Sequence, residues 1–367
     1  MPSARLLRRW AAIATLSAAL ERRVWIETGS GVLFPNLYVL LVGKAGIGKS
    51  VAINKALQIV REVSGFHLSP NAMSGAALID VLAEEGERSR VSHNSHEIYH
   101  TMFVAVGELS TLINTDDRAL VAALTDLYDC TPFKEAKRGN NLRHDIPKPH
   151  LALLCGTTPV NLLSSLPKEI WKQGLMSRVI LIHTKDSTKE NRLNGFAIRS
   201  TDDLTHDLTL INQEVYGPIT WTDKYDQLQH EWYSKGMPPG VTHPQLEGYA
   251  ERRHAHLLKL SMIACVDEGG PLVMKENHFI LAKKWLIEAE ITMPNVFGEG
   301  TTTLDAQALD EIEDFIRRQA APVPYHKLLE KATRHLPLHS VRRAIDVLFE
   351  SGRLKKSKDN FYIVNDD

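Results

Sequence analysis

Residues 37–50 read LYVLLVGKAGIGKS, the most specific local pattern in the chain. A continuous apolar run, typical of a buried strand, leads into a glycine-rich turn, and residues 51–60 continue with helical spacing. The turn fits the pattern G-x-x-x-x-G-K-[ST], in which backbone N–H groups close around phosphates and the following helix directs its positive end at them. The pattern therefore predicts a nucleoside triphosphate site between a strand and a helix.

The side chains of this loop have predicted roles of their own. The Lys49 ammonium should reach the β- and γ-phosphates, and the Ser50 hydroxyl should ligate Mg²⁺. The residues expected to bind nucleotide are Gly43, Lys44, Ala45, Gly46, Ile47, Gly48, Lys49, Ser50 and Val51. ATP and Mg²⁺ are accordingly the expected cofactors.

The composition sets limits on partners and compartment. The chain has 367 residues, with 43 Lys plus Arg against 44 Asp plus Glu and a formal net charge of -1. Any binding of a polyanion must therefore come from local basic patches. The 3 cysteines are far apart and odd in number, which argues against a disulfide framework and suits a reducing compartment. We expect a cytoplasmic protein.

The N-terminal segment carries a charge pattern that resembles a signal peptide. Arg5, Arg8 and Arg9 precede an apolar stretch at residues 10–20, but charged residues 21–23 follow at once, without a convincing cleavage region. The stretch is also too short to span a bilayer. Residues 1–36 are therefore expected to form a helical segment packed on the core, with targeting as the alternative and no membrane partner.

A second buried strand is predicted at residues 102–108 and ends in a carboxylate, Glu108. Hydrolysis of ATP needs an acid beside the γ-phosphate that orients or deprotonates the attacking water, and Glu108 is placed for this role. Many such sites carry Asp-Glu at this point, and the Asp acts through Mg²⁺. This chain has Gly107 instead, so the metal is expected to be held by Ser50, the phosphates and water.

A charged hairpin is predicted at residues 131–146, around a glycine and asparagine turn at residues 139–141. Its basic residues are Lys134, Lys137, Arg138 and Arg143. A solvated surface hairpin is the simpler interpretation. Its position directly before the next core strand favours a functional role.

Two further strands place polar residues at their ends. The apolar strand at residues 150–159 ends in Thr157 and Thr158, where a hydroxyl would contact the γ-phosphate or the lytic water. Arg178 begins the strand at residues 178–183, after a Gly-Leu-Met-Ser lead. We expect this arginine to point out of the subunit, towards the ATP site of a neighbour.

The C-terminal third is predicted to be mainly helical. Amphipathic helices are expected at residues 249–266 and 276–290, and residues 298–303 have the composition of a linker. Three helices and a basic two-stranded ribbon then follow in the order of a winged helix, a fold that contacts DNA or another protein. The residues expected to contact DNA are Arg342, Arg343, Lys355 and Lys356.

This ordered set resembles the AAA+ helicase modules of phage and plasmid replication proteins, which are often fused to primases. These modules are related to the minichromosome-maintenance and superfamily 3 helicases. The resemblance covers most of the chain and rests on residues 43–50, 104–108, 151–159 and 174–182 together with the basic hairpin. It implies an α/β fold, namely a P-loop NTPase with an AAA+-like parallel sheet, flanking helices and a helical lid, plus a C-terminal winged helix.

The resemblance also implies roles for single residues. The basic hairpin would protrude into a ring channel and grip DNA. Thr157 or Thr158 would be the first nucleotide sensor, where Asn is more usual, and Arg178 the trans-acting arginine finger. Arg252 or Arg253, on the first lid helix, would be the second nucleotide sensor, although a solvated basic helix face fits the sequence as well.

The expected function is therefore an ATP-dependent DNA helicase or translocase, a ring-forming motor in the DNA replication of a phage or mobile element. Single-stranded or forked DNA, further copies of the chain in a hexameric ring, and a primase or other replication proteins are the expected partners. The expected domains are residues 1–36, 37–297 and 303–367. An ATP-gated initiator or loader, which Gly107 favours, and a protein-remodelling AAA+ ATPase remain alternatives.

Overall fold

The computed structural model describes residues 4–29, 31–70, 73–92, 95–113, 117–137, 142–166, 174–185, 201–319, 323–334, 336–350, 354–356 and 361–364. The chain divides into two compact units. The first contains residues 1–157 and 166–294, and the second contains residues 158–165 and 295–367. The boundary after Pro294 lies close to the expected one, but the assignment of residues 158–165 to the second unit was not expected.

Helices and strands are interspersed from residue 5 to residue 183, and helices dominate from residue 202 onwards. The helices are α1 (Arg5–Leu20), α2 (Lys49–Val60), α3 (Gly75–Glu84), α4 (Arg118–Tyr128), α5 (Pro159–Ser165), α6 (Gly174–Arg178), α7 (Asp202–Gln213), α8 (Asp223–Ser234), α9 (Glu247–Glu268), α10 (Glu276–Glu290), α11 (Asn295–Arg317), α12 (Tyr325–Ala332) and α13 (Leu338–Glu350). The strands are β1 (Val24–Thr28), β2 (Gly31–Leu33), β3 (Tyr38–Val42), β4 (Glu87–Ser92), β5 (Ser95–Val106), β6 (Phe133–Lys137), β7 (Leu142–Ile146), β8 (Pro149–Thr157), β9 (Val179–His183), β10 (Gly217–Pro218), β11 (Thr220–Trp221), β12 (Val273–Met274), β13 (Val323–Pro324), β14 (Leu354–Lys356) and β15 (Phe361–Val364).

The first unit is built on a five-stranded sheet of order β4-β5-β8-β3-β9. Strands β5, β8, β3 and β9 run parallel, and β4 joins the edge in antiparallel orientation. Every residue of β3, β8 and β9 is buried, as expected for parallel strands that are covered on both faces. The sheet therefore places the carboxyl ends of four strands at one edge, and the structure is an α/β fold.

Helix α1 covers residues 5–20 of the predicted N-terminal helical segment, whereas residues 24–28 and 31–33 of that segment form strands β1 and β2, so the prediction of a helical segment over residues 1–36 is wrong for its second half. The buried face of α1 includes Leu7, Trp10 and Leu20, and this helix packs against α2 and strands β3 and β8. Among the described residues, no helix combines the length and the apolar character that crossing a membrane requires.

Residues 86–96 are polar and have the local composition of a loop, but β4 and the start of β5 pair there in antiparallel orientation. The charged Arg88 of β4 belongs to a hydrogen-bond network with Glu21 and Tyr99. Arg88 donates to the Glu21 carboxylate at 2.8 Å, and the Tyr99 hydroxyl donates to the same group at 2.7 Å. Burial, reinforced by the negative charge of Glu21, raises the pKa of the Tyr99 hydroxyl. The edge strand β4 is therefore held by the ion pair between Arg88 and Glu21, and not by an alternating apolar pattern.

The predicted basic hairpin is confirmed as β6 and β7, which pair in antiparallel register. Its base is anchored, since Ile146 is buried and the His144 Nε2 atom lies 2.7 Å from Asp80 Oδ1 on α3. Residues 138–141, which include the predicted tip, lie outside the described part of the chain.

The second unit consists of α5, α11, α12, α13 and an antiparallel sheet of order β13-β15-β14. Its apolar core includes Ile312, Leu328, Ile345 and Leu348. The order of α11, α12, α13 and the β14–β15 ribbon agrees with the predicted order of elements. The predicted linker at residues 298–303 is wrong, because these residues lie inside α11. Packing of α11 against α5 and α13 overrides the low helix propensity of its glycines.

Candidate functional site at the carboxyl edge of the sheet

The loop between β3 and α2 has the backbone that its glycines predict. Gly46 and Gly48 have positive φ angles of 85° and 93°, and Gly48 caps α2 from a left-handed conformation. A β-carbon at Gly43 would lie 2.2 Å from Ile47 Cδ1 and 3.1 Å from the Thr184 carbonyl, so a larger residue there would have to displace the Ile47 side chain. Lys44, Ala45, Gly46, Ser50 and Val51 are exposed, whereas Ile47 is buried and fixes the loop from below. The loop therefore presents backbone and a hydroxyl to solvent at the start of a helix.

Lys49 folds back over this loop. Its ammonium donates to the carbonyl oxygens of Gly43 at 2.6 Å and Lys44 at 3.0 Å. Burial lowers the pKa of Lys49, and the negative charge of Glu108 acts in the opposite direction. A phosphate bound in the loop would therefore compete with the Gly43 and Lys44 carbonyls for the Lys49 ammonium, which already lies over the loop.

Glu108 and Thr157 meet at the same edge. Glu108 follows β5, and the hydroxyl of Thr157, the last residue of β8, donates to Glu108 Oε1 at 3.1 Å. The Gly43 N–H donates to the Thr157 carbonyl at 3.2 Å, which ties the start of the loop to β8. The structure therefore brings together the loop, Glu108 and Thr157, which the sequence placed on three separate segments.

Gly107 occupies the position where an Asp is more usual. Among the described residues other than its two chain neighbours, a β-carbon built there would have one heavy atom within 4 Å, the Ser50 hydroxyl oxygen at 3.9 Å. At Gly156 on the neighbouring strand, by contrast, a β-carbon would lie 2.5 Å from the Gly107 carbonyl. Gly107 is thus beside the predicted metal ligand Ser50, with room for a side chain. Among the described residues no group of three or more His, Cys, Asp or Glu side chains is arranged to hold a metal ion.

Arg178 lies at the amino ends of the parallel strands, opposite to the loop, Glu108 and Thr157. It directly precedes Val179, which pairs with Tyr38 at the amino end of β3, whereas the glycine-rich loop follows the carboxyl end of β3. Five residues of strand separate these edges, which is about 15 Å. Arg178 therefore does not reach the loop of its own chain.

The surroundings of Arg178 differ from the expectation that it points out of the subunit. Its side chain is only 7% exposed. The guanidinium pairs with the Asp129 carboxylate and donates to the Gly174 carbonyl at 2.8 Å. A role towards a neighbouring subunit would require the Asp129 pair to open.

Arg252 shares this partner. Its Nη1 atom lies 3.6 Å from Asp129 Oδ1, and its side chain is 36% exposed. The prediction that placed Arg252 at the nucleotide is therefore not met within one chain, because Asp129 holds it at the amino edge with Arg178. Lys259 is buried on the same helix as Arg252, and its ammonium donates to the Asn36 side-chain oxygen at 2.6 Å. Burial lowers the pKa of Lys259 to about 7.

Arg253 is enclosed by protein. Its Nε and Nη2 atoms each donate to the Glu290 carboxylate at 2.7 Å, and the two side chains are 2% and 5% exposed. The Met237 carbonyl accepts from Nη1, and the guanidinium lies 5.3 Å from the Trp232 ring centroid. Burial raises the pKa of Glu290, and the Arg253 charge opposes that shift. Arg253 therefore joins α9 to α10, and its surroundings give it a packing role instead of the predicted contact with nucleotide.

The predicted DNA-binding residues fall into two groups. On the hairpin, Lys134 is exposed and lies 2.8 Å from Asp145, whereas the side chains of Lys137 and Arg143 and the whole of Arg138 lie outside the described part of the chain. In the second unit, Arg342, Arg343 and Lys355 are exposed, and the Lys356 side chain is not described. Arg343 also pairs with Asp305 at 3.2 Å.

Sequence reasoning missed Asp129 and Glu290. Each is the partner of a predicted functional arginine, at sequence separations of 49 and 37 residues. A local sequence pattern cannot predict these ion pairs, because each forms only when two elements that are distant in the sequence pack together.

Comparison with the models of known protein families gives no match, and a search of curated proteins gives none either.

Proposed function

We propose that this protein is an ATP hydrolase that acts on DNA as a motor. The observation that carries the proposal is the convergence of the residue 43–50 loop, Glu108 and Thr157 at the carboxyl ends of three adjacent parallel strands. In open α/β sheets, ligands bind outside the carboxyl ends of the strands, where the strand order reverses. β3 lies between strands that come later in the chain, which is such a point.

The residues at this edge divide the chemistry between them. Backbone N–H groups of the loop and Lys49 would bind the triphosphate, and Ser50 would help to hold Mg²⁺, which neutralises phosphate charge when it is bound. Glu108 would orient or deprotonate the attacking water. Thr157 would orient Glu108. Arg178 or Arg252 could act only on a nucleotide bound by another copy, because both lie at the far edge of the sheet.

DNA binding is the second part of the proposal. It is supported by the β6–β7 hairpin, which carries four basic residues over residues 134–143, and by Arg342, Arg343 and Lys355 on the second unit. Contacts of this kind to phosphates give salt-sensitive binding with little base specificity. A hexameric ring of P-loop subunits, each with a winged helix, is the assembly that we propose for this activity.

ATP hydrolysis with and without single-stranded DNA tests the motor. We expect DNA to stimulate hydrolysis by the wild-type protein, and the double variant Lys137→Ala/Arg138→Ala to lose this stimulation while basal hydrolysis persists. The matched control is Lys224→Ala/Lys235→Ala, which removes two exposed lysines of α8 and its C-terminal end. Stimulation that survives in the hairpin variant would move the DNA site to the second unit. Absence of stimulation in the wild type would favour a protein-remodelling ATPase.

An initiator or loader is a second candidate, and Gly107 is the observation that favours it. A site that lacks the usual Asp should bind metal weakly and turn over slowly. Tight, ATP-dependent DNA binding without processive unwinding would identify this function.

Gly107→Asp should increase the affinity for Mg²⁺. The new carboxylate would stand beside Ser50 without a steric clash, and carboxylates together with phosphates are the usual Mg²⁺ ligands. We expect the Mg²⁺ concentration for half-maximal nucleotide binding to fall about tenfold, equivalent to about 1.4 kcal/mol. Titration of Mg²⁺ against a fluorescent ATP analogue measures it.

Gly107→Asn is the matched control, since it adds a similar volume without the charge. An equal effect of Asn and Asp, or no change with Asp, would contradict the placement of the metal beside Ser50.

A further inference from the structure

Thr157 makes hydrogen bonds to two parts of the proposed nucleotide site, Glu108 and the first residue of the glycine-rich loop. Its buried hydroxyl donates to Glu108 Oε1 at 3.1 Å, and its carbonyl accepts from the Gly43 N–H at 3.2 Å. Hydrogen bonds weaken steeply when their distance and angle depart from the optimum. A small displacement of Thr157 would therefore change the orientation of the Glu108 carboxylate.

The chain passes from the first unit to the second directly after Thr157. Residues 158–165 belong to the second unit, and the chain returns to the first at Leu166. Thr158 caps α5, since its hydroxyl accepts from the Asn161 N–H at 3.1 Å and its carbonyl accepts from the Leu162 N–H at 2.9 Å. One peptide bond thus separates the residue that bonds Glu108 from a capped helix.

Helix α5 packs against the apolar core of the second unit with one face. It packs along α11, and Val160 and Leu163 contact the apolar core that contains Ile312 and Leu348. Packed side chains have discrete arrangements and do not deform continuously. A shift of α11 would therefore carry α5 with it, and no glycine lies between α5 and Thr157 to absorb the movement.

We infer that Thr157 is a positioning residue through which the second unit controls the orientation of Glu108. A ligand that shifts α11, such as DNA bound to the second unit, would change the rate of the hydrolytic step rather than the affinity for ATP. The inference rests on the proposed hydrolysis of ATP.

A double-mutant cycle between Thr157 and Leu163 tests the inference. Thr157→Val removes the hydroxyl at constant size, and we expect kcat to fall about tenfold with KM for ATP within twofold, whereas Thr157→Ser should restore most of kcat. Leu163→Ala loosens α5 and should lower kcat severalfold in the wild-type background. It should have no further effect in the Thr157→Val background, because both changes act on the same bond. Ser164→Ala, on the exposed side of α5, is the matched control.

Each outcome decides between the inference and its alternatives. Effects of Thr157→Val and Leu163→Ala that multiply independently would overturn it, and so would an unchanged kcat in Leu163→Ala. Val160→Ala, a smaller deletion on the same face, repeats the cycle if Leu163→Ala melts the second unit. Failure of the wild type to bind a fluorescent ATP analogue would remove the proposed function itself. Normal binding and hydrolysis with independent effects would remove only the role of α5.

Discussion

Glu108→Gln should lower kcat for ATP hydrolysis by about 10³-fold, within the range of 10² to 10⁴ that general base catalysis contributes. Glutamine keeps the size of the side chain and can still accept the Thr157 hydrogen bond, but it cannot take a proton from water. The dissociation constant for ATP should change by less than about threefold, since Lys49 and the loop hold the phosphates. Steady-state kinetics and binding of a fluorescent ATP analogue measure the two quantities.

Two control variants give the result its meaning. Lys49→Ala should lose both binding and hydrolysis, because the cation itself is removed. Glu231→Gln makes the same chemical change at an exposed carboxylate of α8 and should leave kcat unchanged. Wild-type hydrolysis by Glu108→Gln would show that another group activates water. That result would leave nucleotide binding intact and would favour a switch that does not depend on rapid turnover.

Arg253→Met should destabilise the protein by about 3–5 kcal/mol, the usual cost of leaving a buried charge without its partner. Glu290 would then keep the Tyr249 hydroxyl at 3.2 Å as a donor but would lose both bonds from the guanidinium. Adding Glu290→Gln to this variant removes the uncompensated charge and still accepts from Tyr249. We expect the double variant to recover more than half of the loss. Urea denaturation of the two variants and the wild type gives these free energies of unfolding.

The same double variant separates packing from nucleotide sensing. If Arg253 only joins α9 to α10, Arg253→Met/Glu290→Gln should hydrolyse ATP at a rate close to that of the wild type. A stable double variant with strongly reduced hydrolysis would instead return Arg253 to the nucleotide site. Arg252→Met, at a half-exposed position on the same helix, should cost less than about 1 kcal/mol of stability.

Much of the fold could be predicted because its elements carry strong local patterns. The apolar run before Gly43 is a fully buried strand, and residues 276–290 form a helix with the predicted bounds. The hairpin at residues 133–146 was indicated by its turn residues. The segments where prediction failed had ambiguous local signals. Strand β4 has no apolar alternation, and its Arg88 is instead paired with Glu21, which is distant in the sequence. Residues 298–303 have the composition of a linker but are helical, because α11 packs on α5 and α13.

The glycine-rich loop at residues 43–50, the strand before it and the acid that follows the next core strand could be predicted from the sequence alone. These features depend on residues that are neighbours in the chain, so the backbone preferences of glycine and apolar periodicity specify them. The partners of the polar and charged side chains, in contrast, depend on the tertiary structure. It brought Thr157 to Glu108, held Arg178 and Arg252 on Asp129, buried Arg253 against Glu290, and assigned α5 to the second unit. The physical reason is that a long-range hydrogen bond or ion pair depends on the distance between elements, and that distance is fixed by packing of the whole core.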